Sequence, residues 1–164
     1  MFRPGELIFY GRTGVCRVEK VEEIGGRPFY CLQSLYQRCS IRIPVNGKVS
    51  MRPVMSRGEA DALIDRIPEI QVQSAETRVL RELTNRYLDS VNSYDAVRLL
   101  SMTMSIYAKK QQAIQDRKKL GAIDERFLRE GESLLFGELS VSLGIPPETV
   151  PAYIQARLEE GRSP

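Results

Sequence analysis

The sequence predicts an α+β protein whose first third is β-rich and whose remainder is helical. Before Pro53, apolar residues alternate with polar ones in short runs, which is the period of a strand with one buried face. After Pro53 they recur every three or four positions, the period of an amphipathic helix. At 164 residues, one compact domain or two small ones are both possible, and the change of pattern favours two. We predict a β-rich domain over residues 1–55, a helix and linker over residues 56–75, and a helical bundle over residues 76–164.

The β-rich part divides into four or five short strands. These strands are predicted over residues 6–10, 15–23, 28–36, 39–43 and 49–52. A Gly-Gly pair at 25–26 and an Asn-Gly pair at 46–47 supply hairpin turns, because both pairs accept the positive φ angles that tight turns need. So many short strands in about 50 residues indicate a small, barrel-like antiparallel β domain.

Two helices are predicted directly after the strands. Ser56 and Glu59 form a capping box at the start of the first helix, and Pro68 ends it. Residues 68–74 form a linker, and Ser74 opens the second helix. The apolar stripe of the second helix comprises Leu80, Leu83, Tyr87 and Val91.

Three further helices complete the predicted bundle. Ser93 caps the third helix, which extends to Gly121 and includes a basic last part. Its apolar stripe comprises Val97, Leu100, Met104, Tyr107 and Ile114. Asp124 caps the fourth helix, and Gly144 ends it. A final short helix is predicted over residues 150–159.

The composition excludes several classes of function. The chain contains no histidine, so histidine-based catalysis and histidine-ligated zinc are excluded. Its three cysteines are widely spaced and match neither a disulfide framework nor a zinc ribbon. We therefore predict that these cysteines serve as small, buried apolar side chains. Phosphate-binding loops and nucleophile elbows are missing from the sequence, and we predict no enzyme, no cofactor and no metal site. With no signal peptide and no long apolar run, we expect a cytoplasmic protein without membrane contact.

The charge is distributed in blocks along the chain. Residues 1–55 carry nine Lys or Arg against four Glu, for a net charge of +5, and residues 76–119 carry nine against five acids, for +4. Residues 56–75 and 120–164 are acidic, at −2 and −4. A basic block is often a solvated face, but two of them in one small protein favour an acidic partner such as DNA.

Characteristic motifs are spread over residues 1–143. The first group comprises Met1-Phe2-Arg3-Pro4-Gly5-Glu6-Leu7-Ile8-Phe9-Tyr10, Gly14-Val15, Val18-Glu19, Tyr30-Cys31-Leu32, Ile41-Arg42-Ile43-Pro44 and Met51-Arg52-Pro53-Val54-Met55-Ser56. The second group comprises Asp124-Glu125-Arg126-Phe127-Leu128 and Leu134-Leu135-Phe136-Gly137-Glu138-Leu139. In order and spacing the chain resembles the CarD/CdnL family of bacterial transcription regulators.

The resemblance implies a Tudor-like β domain that binds the β subunit of RNA polymerase, a module also found in the transcription-repair coupling factor. Arg42 occupies the family's polymerase-binding arginine position, between Ile41 and Ile43. The alternation of this strand also points Arg42 away from the core, where a solvated arginine is the alternative. Glu23 and Ile24 fall near a second family contact.

The resemblance also implies a helical domain that contacts promoter DNA. The basic candidates for phosphate contacts are Arg78, Arg81, Arg86, Lys109, Lys110, Arg117, Lys118 and Lys119, for which a solvated helix face is the alternative. The family places a tryptophan wedge early in the first helix of this domain, and this chain has no tryptophan. Leu80 falls at that place, where it serves either as an aliphatic wedge or as part of the core.

The sequence thus predicts a monomeric transcription regulator that binds the polymerase β subunit and promoter DNA and modulates the stability of the open complex. No small-molecule substrate is expected. The alternative is a protein-protein adaptor that uses the β domain on polymerase or another partner and does not bind DNA. A small enzyme, the third class, needs a carboxylate cluster in a deep pocket.

Overall fold

A computed structural model describes residues 2–46, 51–70 and 79–162, and these form an antiparallel sheet and five α-helices. The strands are β1 (Leu7–Tyr10), β2 (Gly14–Ile24), β3 (Arg27–Ser34), β4 (Ser40–Pro44) and β5 (Met51–Pro53). The helices are α1 (Arg57–Asp65), α2 (Leu80–Val91), α3 (Ala96–Gln115), α4 (Ala122–Leu143) and α5 (Val150–Arg162). The predicted α+β class is confirmed.

Over the described ranges the sheet is open and has the order β4-β3-β2-β1-β5, so β4 and β5 are its edge strands there. The predicted turn at 25–26 joins β2 to β3, where Ile24 pairs with Arg27 and both glycines have positive φ angles. Gly47 of the second predicted turn, residues 49–50 of the last predicted strand and Ser74 at the predicted start of the second helix lie outside the described residues. Residues Met51–Pro53 pair with β1 and not with β4, so the predicted return of this strand along β4 is wrong for these residues.

The two faces of the sheet bury different clusters. One face has a core of its own, made by Ile8, Cys16, Val18, Tyr30, Leu32 and Ile43. On the other face, Phe9 and Val15 join a core that includes Leu83, Phe127 and Leu134 of the helices. The sheet and the helices therefore share an interior, and the helices cover the second face of the sheet.

The first helix begins as predicted. The Ser56 hydroxyl accepts a hydrogen bond from the Glu59 amide at 3.1 Å, and the Glu59 carboxylate accepts one from the Ser56 amide at 3.3 Å. This reciprocal box satisfies two amides that the start of a helix leaves unpaired. The helix ends at Asp65, ahead of a 3₁₀ turn over Ile67–Glu69 that contains the predicted terminator, Pro68.

Two predicted helix caps are wrong. Asp95, and not Ser93, caps α3, because its carboxylate accepts hydrogen bonds from the amides of Val97 and Arg98. Helix α4 begins at Ala122, so Asp124 lies in its first turn and not at its cap. The Asp124 carboxylate instead accepts hydrogen bonds from the side chains of two residues on neighbouring helices, Tyr87 and Lys109.

Helix α3 ends earlier than predicted. Arg117 adopts a left-handed conformation at φ 54°, its amide donates to the Ile114 carbonyl, and the Lys118 amide donates to the Ala113 carbonyl. These two bonds close a Schellman motif, which ends the helix at Gln115. The basic run Arg117, Lys118 and Lys119 therefore lies in the connection to α4, beyond the helix.

The predicted apolar stripe of α3 has the right period but is displaced around the helix. Tyr107 and Ile114 are 53% and 59% exposed. Leu100 is buried as predicted, and Val97 and Met104 are partly buried against the core. The other buried positions are Leu99, Met102, Thr103 and Ile106. A Cβ on Gly131 of α4 would lie 2.3 Å from the Thr103 hydroxyl, so this glycine permits the close approach of α3 and α4 that sets the buried face.

The last helix packs on the first. Val150 joins Ala60, Ile64, Leu139 and Leu143 in a third buried cluster. The predicted final helix is thus confirmed, with an end at Arg162 instead of residue 159. Among the described residues, no helix has both the length and the apolar character needed to cross a membrane.

Candidate protein and nucleic-acid interface

The strand with the predicted polymerase contact lies at an edge of the sheet. Among the described residues, strand β4 pairs with β3 alone, with Arg42 opposite Cys31. Its outer side therefore offers backbone N–H and C=O groups to which an additional strand can pair. The side chain of Arg42 is 65% exposed, as its alternation predicts.

The surroundings of Arg42 leave its guanidinium available. The nearest carboxylate is Glu22, with 3.8 Å between Arg42 Nε and Glu22 Oε2. The same carboxylate lies 3.7 Å from Lys20 Nζ and accepts a hydrogen bond from the thiol of Cys31 at 3.4 Å. An exposed pair at this distance contributes little stability. A carboxylate from a partner can therefore replace Glu22 at low cost.

The remaining predicted polymerase contacts differ in exposure. Glu23 is exposed and Ile24 is 40% exposed, at the end of the β2–β3 hairpin. Glu23 pairs with Pro28, three residues along β3 from the partner of Arg42, which is about 10 Å along the strand. Ile41 is half-buried, whereas Ile43 is buried in the sheet core. Ile43 thus holds β4 in place and does not offer its side chain to a partner.

The predicted DNA contacts fall into three groups. Arg81 and Arg86 are exposed on α2, and the run from Arg117 to Lys119 is exposed between α3 and α4. Lys109 and Lys110 instead form ion pairs with Asp124 and Glu125, at 3.3 Å and 3.8 Å. Arg78 lies outside the described residues. Five described basic candidates are therefore free of an ion pair with any residue in the described ranges.

The pair between Lys109 and Asp124 belongs to a small polar cluster in the helical part. The Tyr87 hydroxyl donates a hydrogen bond to Asp124 and accepts one from Lys109 at 3.3 Å. Burial, followed by the hydrogen bond to the carboxylate, raises the pKa of Tyr87 well above its ordinary value. A phenol of this kind stays protonated and joins α2, α3 and α4.

Leu80, predicted either as an aliphatic wedge or as part of the core, is the first residue of α2 and is 63% exposed. The predicted membership of Leu80 in the apolar stripe is therefore wrong, although Leu83, Tyr87 and Val91 are buried as predicted. Val79 beside it is 51% exposed. The start of α2 thus presents two aliphatic side chains to solvent.

The sequence did not predict the buried ion pair between Arg52 and Glu138. Glu138 of α4 is 1% exposed, and Arg52 of β5 donates to its two oxygens at 2.5 Å and 2.6 Å. Arg52 also donates to the Tyr94 carbonyl at 2.9 Å and stacks 4.4 Å above the ring of Phe9. The pair therefore joins the edge of the sheet to α4 and to the α2–α3 connection. The sequence does hold one indication of this pair, because Glu138 is an isolated acid within the apolar run from Leu134 to Leu139.

The cysteines are free thiols, with Cys16 buried and Cys31 and Cys39 partly buried. Burial, with a smaller effect of Cys39, raises the pKa of Cys16 to about 11.

The two candidate surfaces involve different elements of the fold, one at β4 and one along α2 and the α3–α4 connection. No protein-family model and no curated protein matches the chain.

Proposed function

We propose that this protein is a CarD-like transcription regulator that binds the β subunit of RNA polymerase through β4 and contacts promoter DNA through its helices. In this role it modulates the stability of the open promoter complex, in the cytoplasm and without catalysis. The observation that carries the proposal is the exposed Arg42 on an edge strand, at the position where the motif resemblance puts the polymerase contact.

The chemistry of β4 supports a protein partner. A strand added to the free edge gains main-chain hydrogen bonds, which supply affinity without sequence specificity. Arg42 adds specificity, since its guanidinium can donate two parallel hydrogen bonds to a carboxylate of the partner. Glu23 and Ile24 extend this surface along the hairpin. Together these groups offer one cation, one anion and one apolar side chain.

The finer fold expected from the resemblance belongs to the same proposal. A Tudor-like barrel is supported by five short antiparallel strands in which the last pairs with the first. A helical bundle is supported by the shared core of α2, α3 and α4. We propose that these two modules correspond to the polymerase-binding and DNA-binding parts.

The DNA contact is supported by exposed charge and by Leu80. Arg81, Arg86 and the run from Arg117 to Lys119 offer five cations for phosphates, which position a protein on a duplex without reading its sequence. The exposed Leu80 is an aliphatic side chain of the type that inserts between base steps. This arrangement predicts affinity that falls steeply with salt.

Binding of the full-length chain to the purified polymerase β subunit tests the polymerase contact. Arg42→Glu is expected to weaken binding by at least about tenfold, because it replaces a charge-assisted bond with like-charge repulsion. Arg129→Glu is the matched control, since Arg129 lies on α4 and its side chain is 83% exposed. Unchanged binding by the folded Arg42→Glu variant refutes the assignment of β4.

A second function is a protein-protein adaptor that does not bind DNA. Two observations favour it: Lys109 and Lys110 are already paired within the helices, and the chain lacks the tryptophan of the family. Titration of a promoter duplex at several salt concentrations separates the two functions. A regulator that neutralises about five phosphates gives a slope of log affinity against log salt near −4.5, whereas the adaptor shows no binding to the duplex.

A further inference from the structure

A polar cleft of about 310 Å³ opens between α2 and α3. Its walls follow one face of each helix, with polar residues at helical spacing. The polar residues lining it are Arg86, Asp89, Ser90, Arg98, Ser101 and Ser105. Of these, only Arg86 belongs to the DNA candidates of the sequence. The buried side chains of Tyr87 and Met102 also line the cleft and give it an apolar floor.

Two arginines, Arg86 and Arg98, line this cleft. Arg86 and Arg98 are both exposed, and neither guanidinium forms a hydrogen bond or ion pair within the part of the chain that the structure describes. Asp89 lines the cleft too, but it forms no ion pair with either arginine there. Two positive charges that line one small cleft repel each other, and a bound anion relieves that repulsion.

Hydroxyl groups complete a set of donors. The Ser105 hydroxyl donates to the Ser101 carbonyl at 2.8 Å, while those of Ser90 and Ser101 have no hydrogen-bond partner among the described residues. Two guanidiniums and two free hydroxyls together have more hydrogen-bond donors than the two oxygens of a carboxylate can accept. A phosphate group has more acceptor oxygens and a charge closer to −2, which matches this set.

We propose that the α2–α3 cleft binds a phosphate group through the guanidiniums of Arg86 and Arg98 and the hydroxyls of Ser90 and Ser101. This inference does not rest on the binding of polymerase. The phosphate belongs to a small free ligand or to a nucleic-acid backbone, which present the same chemistry to the cleft. The carboxylate of Asp89 also lines the cleft, so its charge partly offsets the charges of the two arginines.

Inorganic pyrophosphate is the probe for the first arm of the test. Added to the ¹⁵N-labelled full-length chain at constant ionic strength, it is expected to cause saturable shifts of backbone amides in residues 86–90 and 98–105. Arg98→Gln is expected to weaken this binding at least about tenfold, because hydrogen bonds between ions are the strong ones. Arg129→Gln is the matched control, since Arg129 is an exposed arginine on α4 that lies outside the cleft.

A second variant keeps the test decisive if Arg98→Gln perturbs the fold. Ser101→Asp places a carboxylate inside the cleft, where it competes with the ligand for both arginines, and it is expected to abolish the shifts. A folded variant of either kind that retains the wild-type affinity overturns the proposal. The proposal is also overturned if acetate causes the same shifts at equal affinity. It is overturned as well if Arg129→Gln weakens binding as much as Arg98→Gln does.

The second arm identifies the source of the phosphate. A fluorescent DNA duplex is bound by the chain with and without saturating pyrophosphate. If pyrophosphate displaces the duplex and Arg98→Gln weakens both, the cleft holds a backbone phosphate. If neither pyrophosphate nor Arg98→Gln changes binding of the duplex while pyrophosphate still binds, the cleft holds a free ligand. Both results support a phosphate site, and failure of the polymerase experiment alters neither.

Discussion

The buried pair between Arg52 and Glu138 makes a quantitative prediction. Glu138→Gln keeps the shape of the side chain but removes its charge and replaces one acceptor oxygen with an NH₂ donor. The carboxylate now accepts from Arg52 Nη1 at 2.5 Å, from Arg52 Nη2 at 2.6 Å and from the Met55 amide at 3.0 Å. The amide can retain one or two of these bonds, and its NH₂ group faces the guanidinium.

Removal of one partner from a buried ion pair costs about 3–5 kcal/mol, since the other charge is left uncompensated. Arg52 keeps the Tyr94 carbonyl at 2.9 Å and its stacking on Phe9, and its side chain is 22% exposed. These remaining interactions place the expected loss at the low end, about 3 kcal/mol. With a denaturant slope of about 2 kcal/mol/M, the urea midpoint falls by about 1.5 M.

Urea unfolding followed by circular dichroism measures this shift. The control is Glu130→Gln, which breaks a similar two-bond pair with Arg12 at the surface. Because the Arg12 side chain is 42% exposed, the control is expected to lose less than about 1 kcal/mol. A loss below about 1 kcal/mol in Glu138→Gln, or one equal to that of the control, refutes the reasoning.

Three further predictions concern packing, pH and thiol chemistry. Gly131→Ala is expected to cost about 1–3 kcal/mol, because the new Cβ meets the Thr103 hydroxyl at 2.3 Å; thermal unfolding measures it. The hydrogen bond from Arg157 lowers the pKa of Asp65 below 3.8, so its stabilising contribution is present above that pH and lost as the pH falls through the folded-state pKa. Urea midpoints measured between pH 7 and pH 2 follow this loss. With its pKa raised to about 11 by burial, Cys16 is expected to resist a disulfide reagent at pH 8 in the folded protein.

Each of these predictions has a control. Gly58→Ala meets only the Ser56 hydroxyl oxygen, at 4.0 Å, and is expected to stabilise α1, so equal destabilisation by both glycine variants contradicts the packing argument. Asp65→Asn removes the share of the acid-side loss that Asp65 contributes, and an unchanged pH profile in that variant excludes a role for Asp65. Cys31 and Cys39 are partly buried and label first, and mass spectrometry that finds Cys16 modified at the same rate contradicts its protection.

Local signals made the strands predictable. The Gly-Gly pair at 25–26 fixes the β2–β3 register, and alternation fixes which side of β4 carries Arg42. The capping box at Ser56 needs only residues within one turn of itself. Such features depend on neighbours in the sequence, and the structure reproduces them.

The errors arose where distant residues decide the outcome. Aspartate commonly caps helices, but the carboxylate of Asp124 instead accepts hydrogen bonds from Tyr87 and Lys109 on other helices. The buried face of α3 depends on its close approach to Gly131 of α4, and the pattern of residues within α3 gives no information about that contact. The position of Arg52 opposite Glu138 likewise required the fold, since 86 residues separate them.

The central place of α4 has a consequence for genetics. It packs against the sheet, α1, α2, α3 and α5, and its buried residues run from Phe127 to Leu143. Damage to this interior is expected to impair every binding activity of the molecule at once. Mutations that separate one activity from another must therefore be sought at solvent-facing positions such as Arg42 and Arg98, and a random screen scored on a single activity will recover α4 most often.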